Sequence, residues 1–250
     1  MKIRINPTKE ENGRAAAERA AALMKDILAR KEKLRFIAAT GASQFEFLEH
    51  LCATEGIDWS RTEMFHLDEY VGIPDTHPAS FVGYLKERLV AKVNPGTVHF
   101  VRGDAPDQEA ERRRLSELIA AEPVDLAFVG IGENGHLAFN DPPADFETQE
   151  PYLVLNLDER CRKQQVGEGW FGSIDEVPPQ AYTMSIRQIM RTEQIICTVP
   201  DERKAEAVKN CLGPDAEITP NWPASILKKH AACDVFLDEA SASLLENPGG

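Results

Sequence analysis

The chain has 250 residues, with 28 Lys and Arg against 41 Asp and Glu, so its formal net charge is −13. Hydrophobic residues make up 42%, an ordinary share for a chain that buries a core, and the length suits one large domain or two small ones. No apolar run is long enough for a membrane-spanning helix, and an acidic chain with no basic stripe is a poor partner for nucleic acid.

The opening MKIRINPTKEENG has no hydrophobic core, so no secretory leader is expected. From Asn12 to Lys33 the chain is Ala-rich with Leu23, Ile27 and Leu28 at helical spacing, which predicts an amphipathic helix. Leu34–Thr40 is a short apolar run, read as a buried strand. Gly41-Ala42-Ser43 breaks it before a predicted helix over Gln44–Thr54, with Phe45, Leu48 and Leu51 on one face. Glu63–Leu67 reads as a strand that ends in Asp68-Glu69-Tyr70. Ser80–Val93 predicts a helix, Val98–Val101 a strand, and Asp107–Ala121 a helix rich in Glu and Arg. Val124–Ile131 is the clearest buried strand, and it runs into Gly132-Glu133-Asn134-Gly135-His136. Pro142–Phe146 and Gly167–Gly172 read as loops, the second a candidate lid. Strands are predicted at Leu153–Leu157, Ala181–Ser185, Ile195–Val199 and Asp234–Leu237, and helices at Asp201–Cys211 and Pro223–Lys229. The cysteines (Cys52, Cys161, Cys197, Cys211, Cys233) are scattered and form no CxxC pair, so neither a zinc site nor a disulfide framework is indicated. A reduced, cytoplasmic setting fits that usage.

Strands alternating with helices, several of the strands continuously apolar, predict an α/β fold: a mostly parallel sheet with helices on both faces. No linker divides the chain, so a single domain over residues 1–250 is expected. In such a sheet, ligands bind beyond the carboxyl ends of the strands, so those ends locate the chemistry.

Three strand ends are unusual. Thr40-Gly41-Ala42-Ser43 reads either as a plain turn with Ser43 as an N-cap or as an anion cradle of backbone N–H groups and a hydroxyl. Asp68 and Glu69 are adjacent carboxylates after an apolar strand. Adjacent side chains diverge, so one of the two is expected to face a pocket, where desolvation would raise its pKa towards neutrality. Gly130, Gly132 and Gly135 let backbone approach a ligand closely, in a spacing that is not the dinucleotide-binding one; His136 can exchange protons and Asp141 can orient it. Lys204 stands near the start of a helix, where it reads as a surface lysine or as a phosphate partner. His66, His99 and His230 show no partner and read as structural.

Taken together, FHLDEYVGIPDTHPASF and GIGENGHLAFNDPP, followed by VPPQAYTMSI, RKAEAV, WPASILKKH and FLDE, resemble the glucosamine-6-phosphate deaminase family along nearly the whole chain. The wider superfamily includes 6-phosphogluconolactonase. The resemblance implies a modified Rossmann-like α/β fold and conversion of glucosamine 6-phosphate and water to fructose 6-phosphate and ammonia. It implies no metal, no nicotinamide and no other cofactor. It assigns Asp68 to proton shuttling between carbons 2 and 1, and His136 to ring opening. Asn134 and Asp141 fall in the ring-opening apparatus. Gly41, Ala42, Ser43 and Lys204 fall in the phosphate site, with Gly135 in the substrate loop and Glu69 in a supporting role. The implied partner is a small sugar phosphate, with no nucleic acid and no membrane; a homo-oligomer is left open.

The chain departs from the family pattern in three places. Asn134 and Asp141 stand where well-studied members often carry Asp and Glu, which predicts a slower or retuned ring opening. Glu168 stands in VGEGWF near the place of a lid arginine that binds phosphate; Arg162 or Lys163 are candidates to replace it. The segment Glu147–Pro151 is acidic where members activated by N-acetylglucosamine 6-phosphate are basic, so no such activation is expected. Two alternatives stay open: a 6-phosphogluconolactonase-like hydrolase using His136 to activate water, and a non-catalytic sugar-phosphate-binding protein.

Overall fold

The computed structural model describes residues 1–245. Seven strands form one all-parallel sheet: β1 (Lys2–Asn6), β2 (Leu34–Ala38), β3 (Thr62–His66), β5 (Thr97–His99), β6 (Leu126–Val129), β9 (Gln194–Val199) and β10 (Cys233–Asp238), in the spatial order β1-β10-β9-β6-β2-β3-β5. The chain leaves β2 towards β3 and β5 on one side, then returns through β6 to β9 and β10 on the other. The order therefore reverses between β2 and β6, the place where an open parallel sheet offers a crevice.

The sheet is covered on both faces, because its central strands are apolar on alternate sides. Phe36, Leu126, Phe128, Ile196 and Phe236 pack beneath α1 (Lys9–Arg30), α2 (Phe45–Ala53) and α3 (Phe81–Leu85). Ile37, Ala127, Val129, Cys197, Val235 and Leu237 pack on the other side. There they meet α5 (Gln108–Ala120), α8 (Ala205–Leu212) and the 3-10 segment Pro223–Lys229. Between these lie α4 (Ala91–Val93), which continues α3 through a π-helical turn at Lys86–Val90, α6 (Glu159–Gly167) and α7 (Ile186–Met190). Thr8 caps α1 by accepting from the Glu11 backbone N–H at 3.2 Å while its hydroxyl donates to the Glu11 carboxylate at 3.0 Å, so α1 begins earlier than its apolar pattern suggests. Among the described residues no helix is long and apolar enough to cross a membrane.

The structure corrects the sequence reading in one important way. Asp68–Tyr70 is not the tail of β3 but a separate strand, β4, in a second sheet of order β4-β8-β7 with β7 (Tyr152–Asn156) and β8 (Gln180–Met184), paired antiparallel. A single residue makes the crossing. The Leu67 N–H donates to Ala38 of β2 at 3.1 Å, and its carbonyl accepts from Met184 of β8 at 2.9 Å. Three further elements are not among those predicted: β1, an edge strand with exposed basic residues, α6, at the front of the candidate lid, and the short α7. On α2 the fully buried aromatic is Phe47; Phe45 is half-buried and stacks on Tyr84.

Candidate active site

A cleft of about 540 Å³, counting its open mouth, lies over the reversal point between β2 and β6. It is lined by Gly41, Ala42 and Ser43 after β2, by Leu67 and Asp68 at the crossing between sheets, and by Gly130–Gly132 and His136 after β6. Lys204 enters from the segment after β9, Gln164 and Gln165 enter from α6, and Glu168 from the residue that follows it. The structure thus gathers Asp68, His136, Gly41, Ala42, Ser43 and Lys204 into one volume. It does not bring Glu69 or Gly135 to the lining.

Asp68 and Glu69 point apart, as alternation along a strand requires. Glu69 is buried away from the cleft and accepts from Ser80 Oγ at 2.7 Å, the Val82 N–H at 2.9 Å and the Tyr70 N–H at 2.9 Å. It ties β4 to the start of α3, outside the cleft lining. Asp68 has a buried Oδ1 with no hydrogen-bond partner among the described residues. Burial, aided by the nearby Glu69 charge, pushes its carboxyl up to about 8. Burial also pushes Glu69 up, to about 7, but donors from Val82, Ser80, Tyr70 and Phe81 restrain it. Asp68 lacks such donors, and it is the carboxyl that holds its proton more tightly.

His136 sits on a turn whose shape depends on glycine. A Cβ on Gly132 would lie 2.2–2.3 Å from the His136 ring, so only glycine leaves the ring its seat. The loop beyond is fastened to the small sheet: the Phe139 N–H donates to Thr183 Oγ1 at 3.0 Å, and Asn140 Nδ2 donates to the Leu137 and Met184 carbonyls at 2.8 Å each. His136 Nδ1 is 3.1 Å from Asp141 Oδ1, which leaves Nε2 as the free ring nitrogen. Asn134 Nδ2 donates to the same Asp141 oxygen at 3.0 Å, and Asn134 Oδ1 accepts the His136 N–H at 3.1 Å. The other Asp141 oxygen accepts the Asp158 N–H at 3.0 Å. Burial opposes the charge on Asp141, but its hydrogen bond to His136, the histidine's charge and the Asn134 and Asp158 donors outweigh it, and the carboxyl is held below its usual range. Asn134 and Asp141 do not line the cleft; they act on it by positioning His136.

Cys161 Sγ, His136 and Asp141 offer donor atoms within 4.8 Å of one another. The set could take a soft divalent cation, but three donors fall one short of a closed tetrahedral site. Burial first, then the Asp141 and Asp158 charges, raise the Cys161 thiol well above its ordinary pKa, so it packs behind the dyad as a neutral group.

At the other end, Gly41 has φ +93°, a conformation natural to glycine, and its carbonyl accepts from Tyr84 Oη at 3.1 Å. The Ser43 carbonyl accepts from Thr198 Oγ1 at 3.3 Å, which fixes this turn against β9. Lys204 is buried, and desolvation lowers its pKa against the raising effect of Glu168. Its placement depends on Asp201, a non-glycine residue at φ +91°. Such a conformation costs about 1–3 kcal/mol and persists only where neighbours enforce it. Here the Asp238 carboxylate accepts the Asp201 N–H at 3.1 and 3.2 Å.

Neither candidate replacement for a lid arginine reaches the cleft. Arg162 Nη2 donates to the Ile174 and Val177 carbonyls at 2.6 and 3.1 Å, and Lys163 pairs with Glu159 on the surface at 2.5 Å. Glu168 itself turns inward, with Oε1 3.7 Å from Lys204 Nζ. Sequence reasoning noted Glu168 as an anomaly but did not foresee that contact. It also missed Gln164 and Gln165, which had no signal because α6 was not recognised. His66, His99 and His230 lie outside the cleft lining. Burial drives His66 down to about 3, His99 Nε2 meets Glu63 at 2.8 Å, and His230 Nε2 meets the Thr192 carbonyl at 2.8 Å.

Comparisons with known proteins agree with this architecture. Residues 7–236 match the family described as glucosamine-6-phosphate isomerases/6-phosphogluconolactonase. The glucosamine-6-phosphate deaminase of Exiguobacterium sp. is 36% identical over 228 residues, covering 91% of this chain and 87% of the relative. That of Streptococcus pyogenes serotype M1 is 36% identical over 225 residues, covering 90% and 92%. A solved monomeric glucosamine-6-phosphate deaminase superposes with a TM-score of 0.89 at 31% identity, covering 98% of this chain and all of that one. The 6-phosphogluconolactonase of Thermotoga maritima shares the fold alone, with a TM-score of 0.77 at 19% identity over 95% of this chain and 99% of that one. The chain belongs to the glucosamine-6-phosphate isomerase/6-phosphogluconolactonase family.

Proposed function

We propose that the protein converts glucosamine 6-phosphate and water to fructose 6-phosphate and ammonia, an isomerisation completed by hydrolytic deamination. The observation that carries this reading is Asp68: a buried carboxyl with an unpartnered oxygen, in the same cleft as a carboxylate-held histidine and a buried lysine. The relatives' names support the substrate.

In this reading His136 Nε2 moves a proton between the anomeric hydroxyl and the ring oxygen, opening the sugar. Asp141 accepts from Nδ1 and fixes the ring's orientation. Asp68 must be ionised to take the proton from carbon 2. Burial and the Glu69 charge favour its protonated form, and an arriving ammonium group on the sugar favours the carboxylate. Asp68 then returns a proton to carbon 1 of the enolamine. Water adds to the resulting imine at carbon 2 and ammonia leaves. Lys204, with the Gly41–Ser43 turn, holds the phosphate and so keeps carbon 2 against Asp68.

The test is ammonia release from glucosamine 6-phosphate by the purified protein, with fructose 6-phosphate followed in parallel. The two products are expected to appear one to one. No ammonia at high enzyme and substrate concentrations overturns the reading and returns weight to a phosphosugar lactone substrate or to binding without turnover.

A further inference from the structure

The phosphate end of the cleft already contains an anion. Glu168 Oε1 lies 3.7 Å from Lys204 Nζ, inside ion-pair distance but beyond hydrogen-bond reach. Both side chains are nearly enclosed, with relative exposures of 6% and 4%. The carboxylate is held by two donors: Gln164 Nε2 to Oε1 at 2.7 Å, and Trp170 Nε1 to Oε2 at 3.1 Å. Gln164 in turn accepts the Glu133 N–H at 2.9 Å, which links the lid to the loop that carries His136. Glu168 stands between Gly167 and Gly169, and a Cβ on either glycine would meet nothing within 4 Å, so the lid has open space on both sides of it. Trp170 leans on Phe45, Phe81 and Tyr84 with ring centroids 6.2–6.4 Å apart.

We propose that Glu168 sets the affinity of this end of the cleft: it is the counter-ion of Lys204, and a sugar phosphate must displace it to bind. This deepens the reading above and rests on it. A phosphate beside Lys204 would face the Glu168 carboxylate across a few ångströms in an enclosed site, where like charges repel strongly. Every anion that enters therefore meets the same opposition. A sugar phosphate offsets it with contacts to Asp68 and His136, and inorganic phosphate has no such contacts. The carboxylate thus weakens every anion to the same degree, and the further contacts of the sugar decide which ligand still binds at a given concentration.

Trp170 reports the event, because its indole N–H donates to Glu168. The purified protein is titrated with inorganic phosphate while tryptophan fluorescence is followed, with Trp170→Phe identifying the signal. Phosphate is also measured as a competitive inhibitor of deamination. Glu168→Gln keeps the shape and removes the charge. Its phosphate Kd is expected to fall at least tenfold, about 1.4 kcal/mol, and the KM for glucosamine 6-phosphate by a similar factor. Glu168→Asp, which keeps the charge, is expected to stay within threefold of the parent. A Kd unchanged or raised in Glu168→Gln overturns the proposal and leaves Glu168 as a lid anchor. If no ammonia is ever released, the deaminase reading falls, yet the ratio of phosphate affinities still decides the role of Glu168.

Discussion

At one end of the cleft His136, Asp141, Asn134 and Asp158 hold one another through a closed run of hydrogen bonds; at the other, Lys204 faces Glu168 at 3.7 Å with no hydrogen bond between them. The first end is finished before any ligand arrives. The second has its charges in place but leaves their final pairing to the ligand. Proton transfer demands fixed geometry, because a misplaced base loses the proton it must reach. Anion binding tolerates rearrangement. Asp68 is a third case, a carboxyl left without donors, so that burial and the nearby Glu69 charge set its proton affinity.

Substitutions sharpen this contrast, beginning with the largest effect. Asp68→Asn removes the base and is expected to lower kcat on the order of 10³-fold, with substrate binding retained; undiminished turnover would remove Asp68 from the mechanism. Lys204→Gln acts at the other end and should raise KM by roughly 10–100-fold, the worth of a charge-assisted contact to phosphate, with a smaller change in kcat. An equal loss in both parameters would mean that the two ends are not separable. Asp141→Asn should lower kcat only about tenfold, because sugar ring opening also proceeds in water; product formation from pre-opened sugar should be spared.

The smallest effects concern pH. If ionised Asp68 is the base, kcat/KM should rise about tenfold per unit as pH climbs towards about 8, then level off. The stability consequence has the opposite sense. The folded chain keeps the Asp68 proton up to about pH 8, whereas the unfolded chain releases it near the ordinary value of 3.8. Between those values the folded state binds more protons, so stability from this group is present at low pH and is lost as pH rises through about 8. Asp68→Asn should therefore raise Tm by a few degrees at pH 8 and by less at pH 5, measured by thermal scans. A Tm difference independent of pH would show that Asp68 is not protonated in the fold.

Much of the large sheet was legible in the sequence, because β2, β6, β9 and β10 are built around short apolar runs and β3 around Met64-Phe65, nearly all of them buried. The edge strand β1 was not, since Lys2 and Arg4 alternate with partly exposed Ile3 and Ile5 and carry no burial signal. The small sheet was invisible as a unit. Asp68 pairs with Thr183, and nothing local announces a partner more than a hundred residues away. Helix α6 was hidden by its composition, ERCRKQQVG, which has almost no apolar face. In the site, the divergence of Asp68 and Glu69 followed from strand alternation, and the His136–Asp141 pairing from their spacing. Glu168 could be noticed as an oddity of the lid, but its contact with Lys204 depends on α6 turning a charged residue inward.

Leu67 joins the two sheets within one residue, hydrogen-bonded by its N–H to β2 and by its carbonyl to β8, and the Tyr152 hydroxyl adds a second link by donating to the His66 carbonyl at 2.6 Å. The Gly41–Ser43 turn follows a strand of the large sheet, and Asp68 is the first residue of the small one. The two therefore stand like the jaws of a caliper closed on a one-residue spacer. One residue therefore sets how the two backbones meet, and the side chains of Asp68 and Lys204 reach into the cleft between them.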